Sequence, residues 1–159
     1  KRSIEVLPRL GVNAVPPLNP LLRSGLVLAG ANFGHSGPKQ DGILTALEVS
    51  GLDLWGTQLV TLSACESGLG ELSSSEGVYG LRRAFIIAGA ESEVISLWSV
   101  SDLATAMLMT EFYKRLNAGD GRAASLRQAQ LNLLKLNATS HPHYWAAFIP
   151  LGNWKPLNK

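Results

Sequence analysis

Short apolar runs alternate along the chain with polar breaks marked by glycine. Leu26-Val27-Leu28-Ala29-Gly30 is apolar and closes on a glycine, which predicts a buried strand. Leu59 to Ala64 predicts a second strand, without an internal charge, as expected where both faces are covered. Val94 to Trp98 predicts a third, and Trp145 to Leu151 a half-turn followed by a last short strand. Between the strands the apolar period lengthens to that of a helix. Asp41 can cap a short helix carrying Ile43, Leu44 and Leu47. Val78, Leu81, Phe85 and Ala88 recur at helical spacing after Glu76 and stop at Gly89. Ser101 is placed as the N-cap of a helix with Leu108, Phe112 and Leu116 on one stripe, ending at Gly119. From Arg122 the pattern repeats in Leu126, Ala129, Leu133 and Leu136.

Strands alternating with helices predict an α/β fold, with a mostly parallel sheet and helices on both of its faces. Val60, Leu62, Ile95 and Leu97 are then expected to be almost wholly buried in adjacent parallel strands, with Cys65 and Trp98 beyond the strands' C-terminal ends on one edge. Residues 1–19 read as a linker or loop, since Pro8, Pro16 and Pro17, with Pro20 just beyond, forbid a continuous helix or central strand. The domain proper is expected over 20–159. No internal repeat is visible.

Composition narrows the function classes. At 159 residues the chain has room for one domain or part of one, and 46% hydrophobic against 16% charged residues excludes a disordered chain. The net charge of +2 is a small imbalance, and no basic run exceeds the pair Arg82-Arg83, so direct nucleic-acid binding is not expected. A single cysteine excludes an intramolecular disulfide framework and a Cys-rich zinc site. No apolar run approaches the roughly 18–20 residues of a membrane span, and Lys1-Arg2-Ser3-Ile4-Glu5 has no hydrophobic signal core behind it. The expectation is a cytoplasmic chain without a membrane partner, cut from something longer.

In parallel sheets, chemistry collects beyond the C-terminal strand ends. Cys65 lies there, between the Leu59–Ala64 run and the glycine-rich stretch that follows. A thiol so placed meets substrate, and nearby backbone N–H groups favour the thiolate; the competing reading is a buried structural cysteine. Gly68-Leu69-Gly70 lacks the third glycine and the Gly-Lys-Ser/Thr of a phosphate cradle. Trp98-Ser99-Val100-Ser101-Asp102 offers a ring and a carboxylate for a pocket, against a plain core tryptophan and a helix-start aspartate. His35 sits outside any Gly-x-Ser-x-Gly elbow, and His141 and His143 have no helical metal spacing and no acidic cluster, so no metal or cofactor is expected. Asn137-Ala138-Thr139 matches a glycosylation sequon.

Six ordered segments together resemble the CHAT-domain family. They are Pro20 to Asn32, Asp41 to Val49, Leu62-Ser63-Ala64-Cys65-Glu66-Ser67-Gly68-Leu69-Gly70, Glu76 to Phe85, Ser96 to Val100 with Asp102, and Trp145-Ala146-Ala147-Phe148. Ala64-Cys65-Glu66-Ser67-Gly68 is also similar to the active-site string of legumain-type proteases of the same clan. The resemblance implies a three-layer caspase-like (Rossmann-like) fold and a cysteine endopeptidase with a Cys–His dyad. It makes Cys65 the nucleophile and the Cys65 backbone N–H one oxyanion donor. It implies a protein or peptide substrate, no cofactor, and tetratricopeptide repeats in the same full-length protein, which in this family is often a bacterial signalling or regulatory one. Glu66, Trp98 and Asp102 would line the pocket for the residue before the scissile bond, and their carboxylates favour Lys or Arg there.

The family's histidine, followed by a glycine, precedes the first matching segment. No His-Gly pair stands in this chain, and His35 falls in the wrong segment. The chain is therefore expected to be the C-terminal portion of a CHAT domain, incomplete and inactive alone, with the base supplied from elsewhere. The alternative is a non-catalytic interaction module that keeps the fold.

Overall fold

A computed structural model describes residues 21, 24–28, 42–63 and 74–158, with the backbone alone for 74–79. They fall into two compact units, one formed up to Trp55 together with the segment ending at Gly89, the other from Gly56 to Ser63 and from Ala90 onward.

In the first unit, β1 (Gly25–Val27) pairs antiparallel with β2 (Ile43–Thr45), Leu26 opposite Leu44. Helix α1 (Ala46–Ser50) follows β2 directly, and α2 (Ser74–Ile87) packs against it. The predicted helix over Ile43 and Leu44 is thus a strand, and the cap is Thr45 rather than Asp41, which lies outside the described residues. Thr45-x-x-Glu48 is a capping box: the Thr45 hydroxyl accepts from the Glu48 N–H at 3.2 Å, and the Glu48 carboxylate accepts from the Thr45 N–H at 2.8 Å. Two orphan N–H groups are satisfied from Thr45 onward, which leaves Ile43 and Leu44 free to pair as strand. On α2, Leu81 and Phe85 are buried at the predicted spacing, with Ala88 just beyond, and the helix stops at Gly89, whose φ is +106°.

The second unit is built on β3 (Val60–Leu62), β4 (Ser92–Ser96) and β5 (Phe148–Gly152), in the order β3-β4-β5. β3 and β4 run parallel, with Leu62 opposite Ile95; β5 runs antiparallel to β4, with Phe148 opposite Ser96. The expectation of a mostly parallel sheet is corrected here. Among the described residues there are two small sheets, and a single strand pair is parallel. The physical reason lies in the connections. One long helix carries the chain back to the start of a parallel strand, whereas between β4 and β5 two antiparallel helices run out and back, so β5 enters from the end where β4 leaves and must run opposite to it.

Three helices belong to this unit: α3 (Asp102–Ala118), α4 (Arg122–Leu134) and the single turn α5 (Pro142–Trp145). Ser101 caps α3, its hydroxyl accepting from the Ala104 N–H at 3.2 Å, and Gly119 closes the helix at φ +96°. Leu108, Phe112 and Leu116 of α3 meet Leu126, Ala129 and Leu133 of α4 in one core with Val94, Ala147 and Phe148. Leu136 lies past the end of α4 and is exposed. Strand alternation turns Ile95 to the face opposite Val94, and both are buried. Val60, Leu62 and Leu97 are only half-buried, which corrects the expectation of full burial: β3 is an edge strand among the described residues, and Leu97 lies one residue past the end of β4.

Candidate functional site

Because β3 and β4 are parallel, the chain leaves both at the same end. β4 gives way there to Trp98–Ser101 and the start of α3. Trp98 is half-buried against the α3–α4 core, and its indole N–H donates to the His143 carbonyl at 3.0 Å. The Leu97 N–H donates to the Ala147 carbonyl at 2.9 Å, extending the β4–β5 pairing to this end. Ser99 is exposed between them, and Asp102 is exposed in the first turn of α3, where a carboxylate complements the helix dipole. Trp98 and Asp102 are therefore brought to one end of the sheet. Cys65 and Glu66 follow Leu62 by three and four residues in the sequence and, like His35 and Gly68-Leu69-Gly70, lie outside the described residues.

His141 and His143, whose spacing does not suit a metal pair, lie at the start of the α5 turn, and the His143 carbonyl is the acceptor for Trp98. The His141 ring nitrogen Nδ1 accepts from the His143 N–H at 3.2 Å, capping α5, and the His143 ring packs edge-on to Tyr144 at 5.5 Å. The Gln130 side-chain amide donates to the Trp145 and Phe148 carbonyls at 3.1 and 2.8 Å, which pins α5 and β5 to α4. This neighbourhood depends on a contact between positions 98 and 143, for which the local pattern contains no signal. Among the described residues no group of His, Cys, Asp and Glu is arranged to hold a metal ion. No described helix is long and apolar enough to cross a membrane. The sequon threonine is committed elsewhere: Thr139 is buried, and its hydroxyl donates to the Leu133 carbonyl at 2.8 Å.

A second polar cluster, at the opposite end of the strands, was not foreseen. Arg122, the first residue of α4, is 2% exposed. Its guanidinium donates to Glu91 at 3.0 Å and to Gln58 and the Asn153 carbonyl at 3.3 Å each, while its Nε is buried with no hydrogen-bond partner among the described residues. The Gln58 side chain also pairs with both the N–H and the carbonyl of Asn158. The arrangement straps residues 153–158 across the start of α4 and the entry to β3. It is a structural clamp, far along both strands from the end where Trp98 emerges.

Comparison with known proteins identifies the whole. A model of the CHAT domain family matches residues 11–153, starting inside the stretch read from sequence as a linker. Tetratricopeptide repeat protein 28 of Homo sapiens is 34% identical over 129 residues, covering 81% of this chain and 5% of its own length. Its Mus musculus counterpart is 35% identical over 121 residues, again covering 5% of its own length. The chain thus spans a small fraction of the curated relatives it matches.

Proposed function

The chain belongs to the CHAT domain family, and from that premise we propose that it is the nucleophile-bearing portion of a caspase-like cysteine endopeptidase within a larger signalling or regulatory protein. The Cys65 thiolate attacks the scissile carbonyl, and its own backbone N–H supports the oxyanion. A histidine from a segment outside these residues takes the thiol proton and passes it to the leaving amine. Water then releases the acyl group as an acid and restores the thiol. Glu66, Trp98 and Asp102 flank the position before the scissile bond, and the two carboxylates favour Lys or Arg there. Tetratricopeptide repeats in the same polypeptide, as the relatives' names suggest for those proteins, position the substrate protein. Both relatives are mammalian, so the bacterial setting expected from the resemblance gains no support from them.

The observation that carries this reading is the register of β3 and β4, with Leu62 beside Ile95. It carries the chain out of β3, described as far as Ser63, and out of β4 toward Trp98–Asp102 at one end of the sheet, where clustered chemistry is expected; this supports a site there. The test is turnover of a peptide panel by the full-length protein, by its Cys65→Ala variant and by the 159-residue chain alone. Activity only in the first is expected; full-length activity that survives Cys65→Ala, or no activity at all, overturns it.

A second reading, a non-catalytic interaction module with the same fold, draws on His141. Its Nδ1 is occupied by the N–H of its own helical turn, so His141 is not held in the manner of a general base. A full-length sequence with no His-Gly pair after an apolar strand upstream favours this module.

A further inference from the structure

The single turn α5 begins on His141. Pro142 fills its first position and has no N–H to satisfy, so the first donor of the turn is the His143 N–H. It donates to His141 Nδ1 at 3.2 Å, and the Tyr144 N–H donates to the His141 carbonyl at 3.0 Å. A ring nitrogen that accepts from a backbone N–H carries no proton of its own, so the His141 ring is neutral and its proton is on Nε2. The carbonyl of His143 is engaged as well, accepting the Trp98 indole N–H at 3.0 Å. The His143 backbone is thus held between two rings, His141 on its N–H side and Trp98 on its carbonyl side. The far end of the turn is anchored separately. Gln130 donates to the Trp145 carbonyl, and the Trp145 indole donates to the Ser140 carbonyl.

We infer that His141 positions Trp98 through α5 and releases it when the imidazole takes a second proton. The inference rests on the reading that Trp98 lines the substrate pocket, and it adds a control by acidity to that pocket. An imidazolium has two N–H donors and no acceptor. The His143 N–H then faces another donor, the turn loses its cap, and the His143 backbone is free to rotate and carry its carbonyl off the indole. The cap is therefore present while the ring is neutral and is lost as the pH falls. Histidine is the side chain whose charge ordinarily changes between about pH 5 and 8, and His141 is exposed to solvent. The charged and titratable side chains on the elements packed against α5 are Asp102, Glu111, Tyr113, Lys114 and Arg115 on α3 and Arg122 and Arg127 on α4. The turn Asn137–Thr139 has none, and His143 and Tyr144 stand on α5 itself. Among the described residues none of them forms an ion pair with His141, so no carboxylate holds the imidazolium in place of the cap.

The experiment uses the full-length protein with 5-fluorotryptophan at position 98 alone, whose fluorine resonance reports the surroundings of that indole. Lowering the pH from about 8 to about 5 should move the resonance in one sigmoidal step. In His141→Asn the amide oxygen caps the same N–H without titrating. The step should shrink by about threefold or more, the lower range of what a cap is worth, with the resonance held at its high-pH position. In His141→Ala the resonance should stand at the low-pH position throughout. His143→Gln leaves the backbone partners in place and should keep the step, which separates the charge on His141 from that on the neighbouring ring. A step that survives His141→Asn, or one that disappears in His143→Gln, overturns the inference. Peptide turnover tests the pocket separately. For a Lys or Arg peptide, KM should rise by about threefold or more over the same pH range in the natural protein and stay level in His141→Asn, while kcat falls alike in both as the catalytic pair titrates. The expected fluorine step with KM level in both proteins supports the link from His141 to Trp98 and removes Trp98 from the pocket. The same step in a protein that turns over no peptide supports the link and overturns the peptidase reading.

Discussion

Arg122 and Glu91 are 3.0 Å apart but unequally wet: the Arg122 side chain is 2% exposed and the Glu91 side chain 33%. Deleting one is therefore not equivalent to deleting the other. Glu91→Ala leaves the guanidinium buried at the start of α4, where the helix dipole already opposes a cation. Its remaining acceptors are Gln58 and the Asn153 carbonyl, both at 3.3 Å. Stranding one member of a buried pair costs about 3–5 kcal/mol. Partial exposure of Glu91 lowers the intact pair's worth, so a loss of about 2–3 kcal/mol is expected. Arg122→Met keeps an apolar stem of similar reach, removes the unpartnered Nε and the cation at the helix start, and returns Glu91 to water. It gives up two long neutral-acceptor bonds, each worth about 1 kcal/mol, and regains up to about 1 kcal/mol of dipole repulsion. Its net cost should be within about 1 kcal/mol. The gap of about 1–2 kcal/mol corresponds to roughly a 5- to 30-fold difference in the opening equilibrium of β4 and α4, readable from native-state amide exchange. Equal costs for the two variants, or a larger one for Arg122→Met, would refute the desolvation argument and make the guanidinium's own hydrogen bonds the dominant effect.

Phe112→Ala should destabilise the second unit by about 3–5 kcal/mol, since Phe112 is 0% exposed in its core; Leu62→Ala on the edge strand should cost under about 2 kcal/mol, and denaturant unfolding ranks the two. Ser101→Ala removes the hydroxyl cap of α3 and should cost about 1 kcal/mol, seen as faster amide exchange in the first turn of that helix. In the full-length enzyme, Asp102→Asn and Glu66→Gln should each lower cleavage after Lys or Arg relative to Asp in a first-subsite profile. An unchanged ratio in both variants removes those carboxylates from the pocket.

What the sequence determined by itself is mostly local. The stripes Leu108-Phe112-Leu116 and Leu126-Ala129-Leu133 are buried as their period requires, because a helix repeats its face without help from distant chain. Ser101 and Gly119 bound α3 for the same reason: caps and left-handed stops act within one turn. The order of motifs was enough to place the chain among CHAT domains. Tertiary structure decided whatever depends on who lies next to whom. Ile43 and Leu44 became strand because β1 offered an antiparallel partner, and a short apolar run carries no period that separates strand from helix. β5 runs antiparallel because the helix pair α3 and α4 brings the chain back to the end where β4 leaves, a direction no residue pattern in β5 encodes. Trp98 and His143 are 45 positions apart in sequence, and so is the hydrogen bond between them. The Arg122 clamp joins Gln58, Glu91, Asn153 and Asn158 from three separate segments, so each looks like an ordinary surface polar residue until folding gathers them around one buried cation.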